Sequence, residues 1–393
     1  AMGLRNPQEL AFDDFGNLFT GDNNSDSGDR ARWVYVVPGG DSGWRMSYQY
    51  LSDRGPFNRE RLWEPAHAGQ AAYLVPCILN FADGPSGLTY YPGTGLGDSF
   101  LGRFLLCDFR GQASNSGIRS FRMAGRGAGF EMIDAEETLW NILATDVDFG
   151  PDGAMYVADW VHGWEGLGKG RVYRFTNPAA EASPIVRETE RLLNEGLADS
   201  DEQQLTRLLG HADRRVRQEA QFELARRSAF EALDGVARSR GSQFARLHAL
   251  WGIGQIARRD ERKDDAIETL AEVIRDRDPE LRAQACAVLS ELEDLTYGDE
   301  LIRCLADESA RVRAYAAQAV GRLGYLAARD ATLQLLMANA DADPYLRHAG
   351  IMALTGIGFA TFTTVGPLLV VAALGTLNPT AGDVSVFLPT EPV

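Results

Sequence analysis

The order of apolar and polar residues divides the chain. From residue 1 to about 177, short apolar runs alternate with clusters of Gly, Pro, Asp and Asn, the pattern of strands punctuated by turns. One phrase recurs in outline. The run from Phe12 to Phe19 resembles the run from Phe149 to Val157. In each, an aromatic residue ends a strand, a tight turn containing Gly follows, and an apolar strand returns. Asp152 and Gly153 suit a two-residue hairpin turn, where positive φ is required. Phe104 to Asp108 predicts a further strand without the turn phrase before it. Recurring strand–turn–strand units predict a partial β-propeller of about three to four blades. A β-sandwich also uses short strands with turns, so it stays open as the other β architecture.

Near Asn177 and Pro178 the pattern changes. Gly and aromatic residues thin out, Ala, Leu, Arg and Glu take over, and residues 178–190 read as a linker entering helix. From 191 to 358 the chain repeats around Arg217, Arg246, Arg282, Arg313 and Arg347. Three residues after each stands Ala220, Ala249, Ala285, Ala316 or Gly350. Seven residues after stands Leu224, Ile253, Leu289, Val320 or Leu354. These spacings share one helical face, so they predict a buried stripe with a small residue where a neighbouring helix comes close. Four residues before each arginine stands Asp213, Ser242, Asp278, Ser309 or Asp343, all good N-caps. Pro279 and Pro344 fall at the first helical position, where proline costs least. Each unit also has a preceding apolar helix, such as Ile267–Ile274. This predicts a helix-pair solenoid, its arginines tying one unit to the next.

Residues 359–393 form an apolar tail. No charged residue lies between Ala349 and Gly382, and the run is long enough to cross a bilayer. Two readings stand: a buried helix with a disordered end, or a foreign join. The fold class expected is therefore multidomain β plus α.

Charge narrows the partners. The chain has 55 Asp and Glu against 39 Lys and Arg, a net charge of −16. Nucleic acid is not expected, because phosphate binding needs a basic face. Cys77, Cys107, Cys286 and Cys304 form no Cys-x-x-Cys pair, so isolated buried thiols are expected. The first residues show no basic start followed by an apolar run.

The first 44 residues hold the candidate chemistry. Arg5, Asn6, Pro7 and Gln8 lead into a strand, a polar loop follows at Asp22, Asn23, Asn24, Ser25 and Asp26, and Gly39 to Trp44 forms a corner. This stretch resembles the soluble quinoprotein glucose and sugar dehydrogenases. Segments 84–93, 104–111 and 146–160 fit further blades of that family. The helical repeats resemble the HEAT family, most closely at Asp213–Ala220 and Ser309–Ala316. The order of propeller then HEAT repeats resembles proteins labelled putative membrane-bound dehydrogenases. The stretch from Leu377 to Glu391 resembles a segment of major facilitator transporters.

The quinoprotein resemblance implies pyrroloquinoline quinone (PQQ) and Ca²⁺. Arg5 and Asn6 would meet the quinone carbonyls, with Gln8 beside them. The 22–26 loop would give backbone carbonyl oxygens to Ca²⁺, which prefers such hard ligands. A cation and a metal beside a quinone oxygen stabilise the charge that builds there. The resemblance also implies oxidation of a sugar or alcohol, a cytochrome c acceptor, and a periplasmic or extracellular place. The family's general base is a histidine of an earlier blade, so no catalytic base is expected in this chain. His67 and His162 lie in loops. The segment where the family carries paired arginines reads Asn141–Thr145, without a cation, and Arg110 is the nearest basic substitute. The chain would then be a fragment, inactive alone. The alternative is a propeller and solenoid that bind a glycan or a protein without catalysis. In that case Arg5 pairs with a carboxylate such as Asp29, and 22–26 is a solvated turn.

Overall fold

The computed structural model describes residues 1–25, 28–46, 48–67, 72–164 and 168–362. Three antiparallel meander sheets come first. Sheet one is β1 (Pro7–Phe12), β2 (Leu18–Asp22), β3 (Arg32–Tyr35) and β4 (Leu79–Asn80); a short helix α1 (Pro56–Arg59) lies in the β3–β4 connection. Sheet two is β5 (Pro85–Tyr90), β6 (Arg103–Asp108), β7 (Gly117–Arg126) and β8 (Gly129–Trp140). Sheet three is β9 (Ala144–Phe149), β10 (Met155–Asp159) and β11 (Arg171–Phe175).

The three sheets share one build. The first strand pairs with the second so that Pro7 faces Asp22, Pro85 faces Asp108 and Ala144 faces Asp159. Each of these pairings carries an irregularity near that end. The first strands lie side by side, β1 against β5 and β5 against β9. The expected turn at Asp152–Gly153 forms, with Gly153 at φ +75°. Sheet two lacks the turn phrase because Tyr91 to Gly102 are inserted between β5 and β6. Between sheets one and two, Phe19 and Trp33 meet Phe104 and Phe121, with Trp33 and Phe121 edge to face at 4.8 Å. Such aromatic contacts add to the burial of their large areas.

Helices follow: α2 (Pro178–Glu181), α3 (Pro184–Glu195), α4 (Glu202–Leu208), α5 (Arg214–Arg226), α6 (Phe230–Ala237), α7 (Gln243–Ala257), α8 (Lys263–Val273), α9 (Pro279–Glu291), α10 (Gly298–Cys304), α11 (Ala310–Arg322), α12 (Arg329–Asn339) and α13 (Pro344–Phe362). The five expected units are the pairs α4–α5 through α12–α13. Ala220, Ala249, Ala285 and Ala316 are fully buried, and a Cβ on Gly350 would come within 2.6 Å of Leu336. Asp213, Asp278, Ser309 and Asp343 accept from first-turn amides as expected. Ser242 makes no such bond.

The repeat arginines divide their work more finely than expected. Arg246 reaches Asp276, and Arg282 reaches Asp307, each in the following unit. Arg313 holds the carbonyls of Asp307 and Glu308 in its own loop. Arg347 pairs with Asp341. Arg217 leaves the solenoid and pairs with Asp14 in the first sheet. One apolar cluster runs from sheets one and two into the helices, so the two parts share a core. Cys107, Cys286 and Cys304 are buried and Cys77 is half-buried, all as free thiols. Among the described residues no helix is long and apolar enough to cross a membrane. The tail beyond Phe362, with its transporter-like stretch, lies outside the described residues.

Candidate functional site

The sheets have two ends, and they differ. At one end, the turn of sheet one between its first and second strands, the insertion of sheet two and the turn of sheet three all meet the solenoid. Arg214 donates to Asp13 O at 2.9 Å, and Gln284 to Phe15 O at 2.9 Å. Thr94 donates to Asp213 at 2.7 Å, and Arg215 to Phe149 O at 2.8 Å. The opposite end holds Arg5, Asn6, the 22–25 loop and Arg110.

At that opposite end, every second strand closes on an aspartate: Asp22, Asp108 and Asp159. The first two are fully buried and the third is 7 % exposed. Burying a carboxylate is costly unless it is paired and hydrogen-bonded, and each has partners. Asp22 accepts from the backbone amides of Arg5 (3.1 Å) and Asn6 (2.7 Å) and from Arg32 Nε (3.1 Å). Arg32 also donates to the carbonyls of Gly3 and Ser42. It thereby locks the first residues onto the corner, where Trp44 N donates to Gly3 O at 2.9 Å. Asp108 accepts from Arg110 Nη2 (2.8 Å), Arg119 Nε (2.7 Å) and the Asp83 amide (2.9 Å). Burial raises the Asp108 carboxyl, but the bonds from Arg110 and Arg119 outweigh it and hold it below the usual carboxylate range. Asp159 accepts from the Val161 amide at 2.9 Å.

The sequence-predicted residues therefore come together, but in an internally bonded form. The Arg5 guanidinium lies 5.9 Å from the Trp44 ring centroid. Asn23 N donates to Asn6 O at 3.3 Å. Asn24 reaches Asp83, which lies 3.9 Å from Arg110. Asn24 thus links the end of sheet one to the end of sheet two. Ser25 donates its amide and its hydroxyl to Asp29. Gln8 is exposed on β1. Asp26 lies outside the described residues. The Asp22 and Ser25 side chains add no ligand to a Ca²⁺ held by the carbonyls of this loop. Both oxygens of Asp22 face N–H donors, and the Ser25 hydroxyl is turned to Asp29. Among the described residues no three His, Cys, Asp or Glu side chains converge to hold a metal ion. Arg110, already doubly bonded to Asp108, does not fit a clamp on the carboxylates of PQQ. Sequence reasoning missed Arg32 and Arg119. Their signal was the aspartate ending each second strand, a recurrence visible at Gly21-Asp22, Cys107-Asp108 and Ala158-Asp159.

A second feature arises where sheets and solenoid meet. A cleft of about 350 Å³ opens between the Phe12–Gly16 turn and helices α5, α7 and α9. Arg217, Gln221, His248 and Trp251 line its inner part, and Phe222 and Arg258 stand on its more exposed walls. Burial, with the Arg217 and Arg214 guanidiniums beside it, pushes His248 down to about 3, so it is neutral at ordinary pH. Its Nδ1 lies 2.7 Å from Gln221 Oε1, and its ring packs edge to face on Trp251 at 5.0 Å. Trp251 Nε1 donates to Gln284 at 3.0 Å. Clefts of this size at domain junctions are common ligand sites. This one offers amide, aromatic and guanidinium groups but no activated nucleophile.

Residues 267–355 match the HEAT-repeat family, so the helical part contains HEAT repeats. No curated protein matches the chain. Among solved structures, the chain is similar to a designed armadillo repeat protein in complex with the peptide (KR)4. That likeness has 18 % identity over 44 % of this chain and 95 % of that one, with a TM-score of 0.32. It is also similar to YibA of E. coli, at 15 % identity over 51 % of this chain and 89 % of that one, TM-score 0.31. A mutant of Kap121p is similar at 14 % identity over 53 % of this chain and 25 % of that one, TM-score 0.34.

Proposed function

We propose that this chain is a non-catalytic recognition scaffold that binds a protein partner at the cleft between its sheets and its solenoid. The observation that carries this reading is the state of the guanidiniums at the end where a cofactor is expected. Arg32, Arg110 and Arg119 are spent on buried aspartates, whereas the junction cleft presents Phe222 outward, with Arg258 beside it paired to Glu291. The three sheets are read as successive propeller-type blades. Their common register and their side-by-side first strands support this. Binding screens with peptide and glycan libraries test the scaffold. Peptide ligands whose binding is lost in Phe222→Ala and Arg258→Ala variants are expected. Ligands that bind those variants equally well, or glycans alone, would sink it.

One observation favours the quinoprotein reading: Arg5, Asn6, Asn24 and Arg110 gather at one end of two adjacent sheets. There PQQ would supply hydride acceptance from a sugar or alcohol. Electrons would pass to a cytochrome c, in a periplasmic or extracellular setting. Arg110, held by Asp108, does not fit the group, so no step is derived through it. Melting with Ca²⁺ and PQQ separates the readings, since a ligand of the native state raises Tm. The scaffold expects no rise. A rise accompanied by dye reduction with an aldose would restore the enzyme.

A further inference from the structure

Among the described residues sheet three has three strands where sheets one and two have four. Sheets one and two each continue past their third strand, β4 lying on β3 and β8 on β7. Among the described residues, sheet three stops at β11. Exposure follows the difference. Trp33 and Val34 of β3, and Ile118 and Phe121 of β7, are buried. On β11, Val172 is 72 % exposed, and Arg171 and Arg174 are exposed beside it. An edge with open backbone groups is a template for another strand.

Sheet two shows what chemistry such a strand carries. Its third strand is basic and its fourth acidic. Arg119 pairs with Glu137 at 3.2 Å, and Arg122 with Asp134 at 3.0 Å. Arg103 of β6 reaches Glu136 at 3.0 Å. Sheet three has the basic strand without the acidic one. Arg174 is occupied by Asp152 and Glu181. Arg171 donates to the Tyr173 hydroxyl at 2.8 Å, with Asp159 opposite it in register, and Lys169 precedes it on the surface. Among the described residues neither Arg171 nor Lys169 makes an ion pair within 4.0 Å, in a chain of net charge −16.

We propose that β11 is a docking edge for an acidic extended peptide, which adds to sheet three as β8 adds to sheet two. Backbone bonds along the edge give affinity. Carboxylates opposite Arg171 and Lys169, and an apolar residue on the Val172 side, give choice of partner. This surface lies on a different element from the junction cleft and does not depend on the reading of that cleft.

The test uses the full chain and a labelled synthetic peptide with the sequence of residues 129–140, titrated by fluorescence anisotropy at low salt. Saturable binding is expected, with added hydrogen-exchange protection at Arg171–Phe175. Arg171→Glu and Val172→Asp, both on an exposed strand, should each weaken binding by about tenfold or more, the factor that corresponds to losing one good contact. A peptide with its four acidic residues replaced by lysine should not bind. A peptide N-methylated at alternate residues keeps its charge but loses one edge of backbone donors, and should not bind either. Any of four results would overturn the proposal: no binding at about 1 mM peptide; equal binding by the charge-reversed peptide; equal binding by the N-methylated peptide; or self-association of the free chain that Val172→Asp abolishes, which would give the edge to a second copy.

Discussion

Replacing Arg217 with methionine should loosen the sheets from the solenoid. The Arg217 side chain is 3 % exposed and pairs with Asp14, itself 18 % exposed. It also donates to His211 O at 2.9 Å and Ala212 O at 3.0 Å, and its guanidinium lies 4.5 Å from the Phe244 ring centroid. Methionine keeps the stem but leaves Asp14 with the Tyr90 hydroxyl and no cation, and takes the Arg217 donor from two carbonyls and from His248 Nε2. Breaking such a pair by removing one partner costs about 3–5 kcal/mol, or on the order of 10 °C in Tm at the usual shift per kcal/mol for a chain this large. The damage should be directional. Hydrogen exchange should quicken first in the Phe12–Asn17 turn, because that is where Asp14 sits. Adding Asp14→Asn should recover part of the loss, since the stranded charge is then gone. Arg313→Met is the control, as Arg313 only holds carbonyls of its own loop. The reasoning is refuted if Arg217→Met melts no lower than Arg313→Met, or if the Phe12–Asn17 turn stays as protected as in the parent.

Three further outcomes are expected. His248, folded at about 3 against an unfolded value near 6.5, binds its proton only in the unfolded chain between those values. Its contribution is therefore full above pH 6.5 and lost at about 1.4 kcal/mol per pH unit as pH falls toward 3; His248→Gln should flatten the stability–pH curve there by one proton. Asp108 is held below its usual range, so its contribution is present above pH about 4 and lost as pH falls through its folded value. Asp108→Asn should cost about 2–4 kcal/mol at pH 7 in denaturant melts, and a neutral result would mean that Arg110 and Arg119 do not depend on it. Gly95 sits at φ +111°, and a Cβ there would lie 1.9 Å from Gly153 O. Gly95→Ala should thus destabilise by about 2 kcal/mol or more through strain and overpacking, while Gly235→Ala, where nothing stands in the way, should stabilise α6 slightly.

The two halves of the chain differed in how openly they could be read. The solenoid was legible because its signal is local: cap, small residue and apolar residue recur on one helical face. The sheets were harder. Asp13–Gly16 and Gly150–Gly153 are tight turns, but the matching place in sheet two holds the Tyr91–Gly102 insertion, which hides the repeat. The candidate site was legible in membership and not in state. Arg5, Asn6, Asn24 and Arg110 do gather, yet nothing local says that Arg32, ten residues beyond Asp22, completes its bonding, or that Arg119 crosses to Asp108 from the next strand. Those pairings depend on register, which the spacing of single residues does not disclose. The expectation that all five repeat arginines link units failed for the same reason: Arg217 meets Asp14, more than two hundred residues earlier.

The docking of the two parts does leave a trace in the repeats, in the column where they disagree. Two residues before each repeat arginine stand Arg215, Phe244, Glu280, Arg311 and Tyr345. No common chemistry joins them. Yet each lies in the first turn of the second helix of its unit, the end that carries free amides and a partial positive charge. Arg215 bonds the carbonyls of Phe149 and Gly150. Phe244 packs on Phe15 at 5.6 Å. Glu280 holds Arg311, which donates to Asn17 at 2.8 Å. Tyr345 donates to Pro76 O at 3.2 Å and packs on Tyr35 at 5.5 Å. The residues shared by all units build the solenoid, whose neighbours are copies of one another. This column faces sheet turns that are all different, so it cannot be uniform. The solenoid is therefore seated on the sheets along the first turns of its second helices, and the junction cleft opens beside that seat.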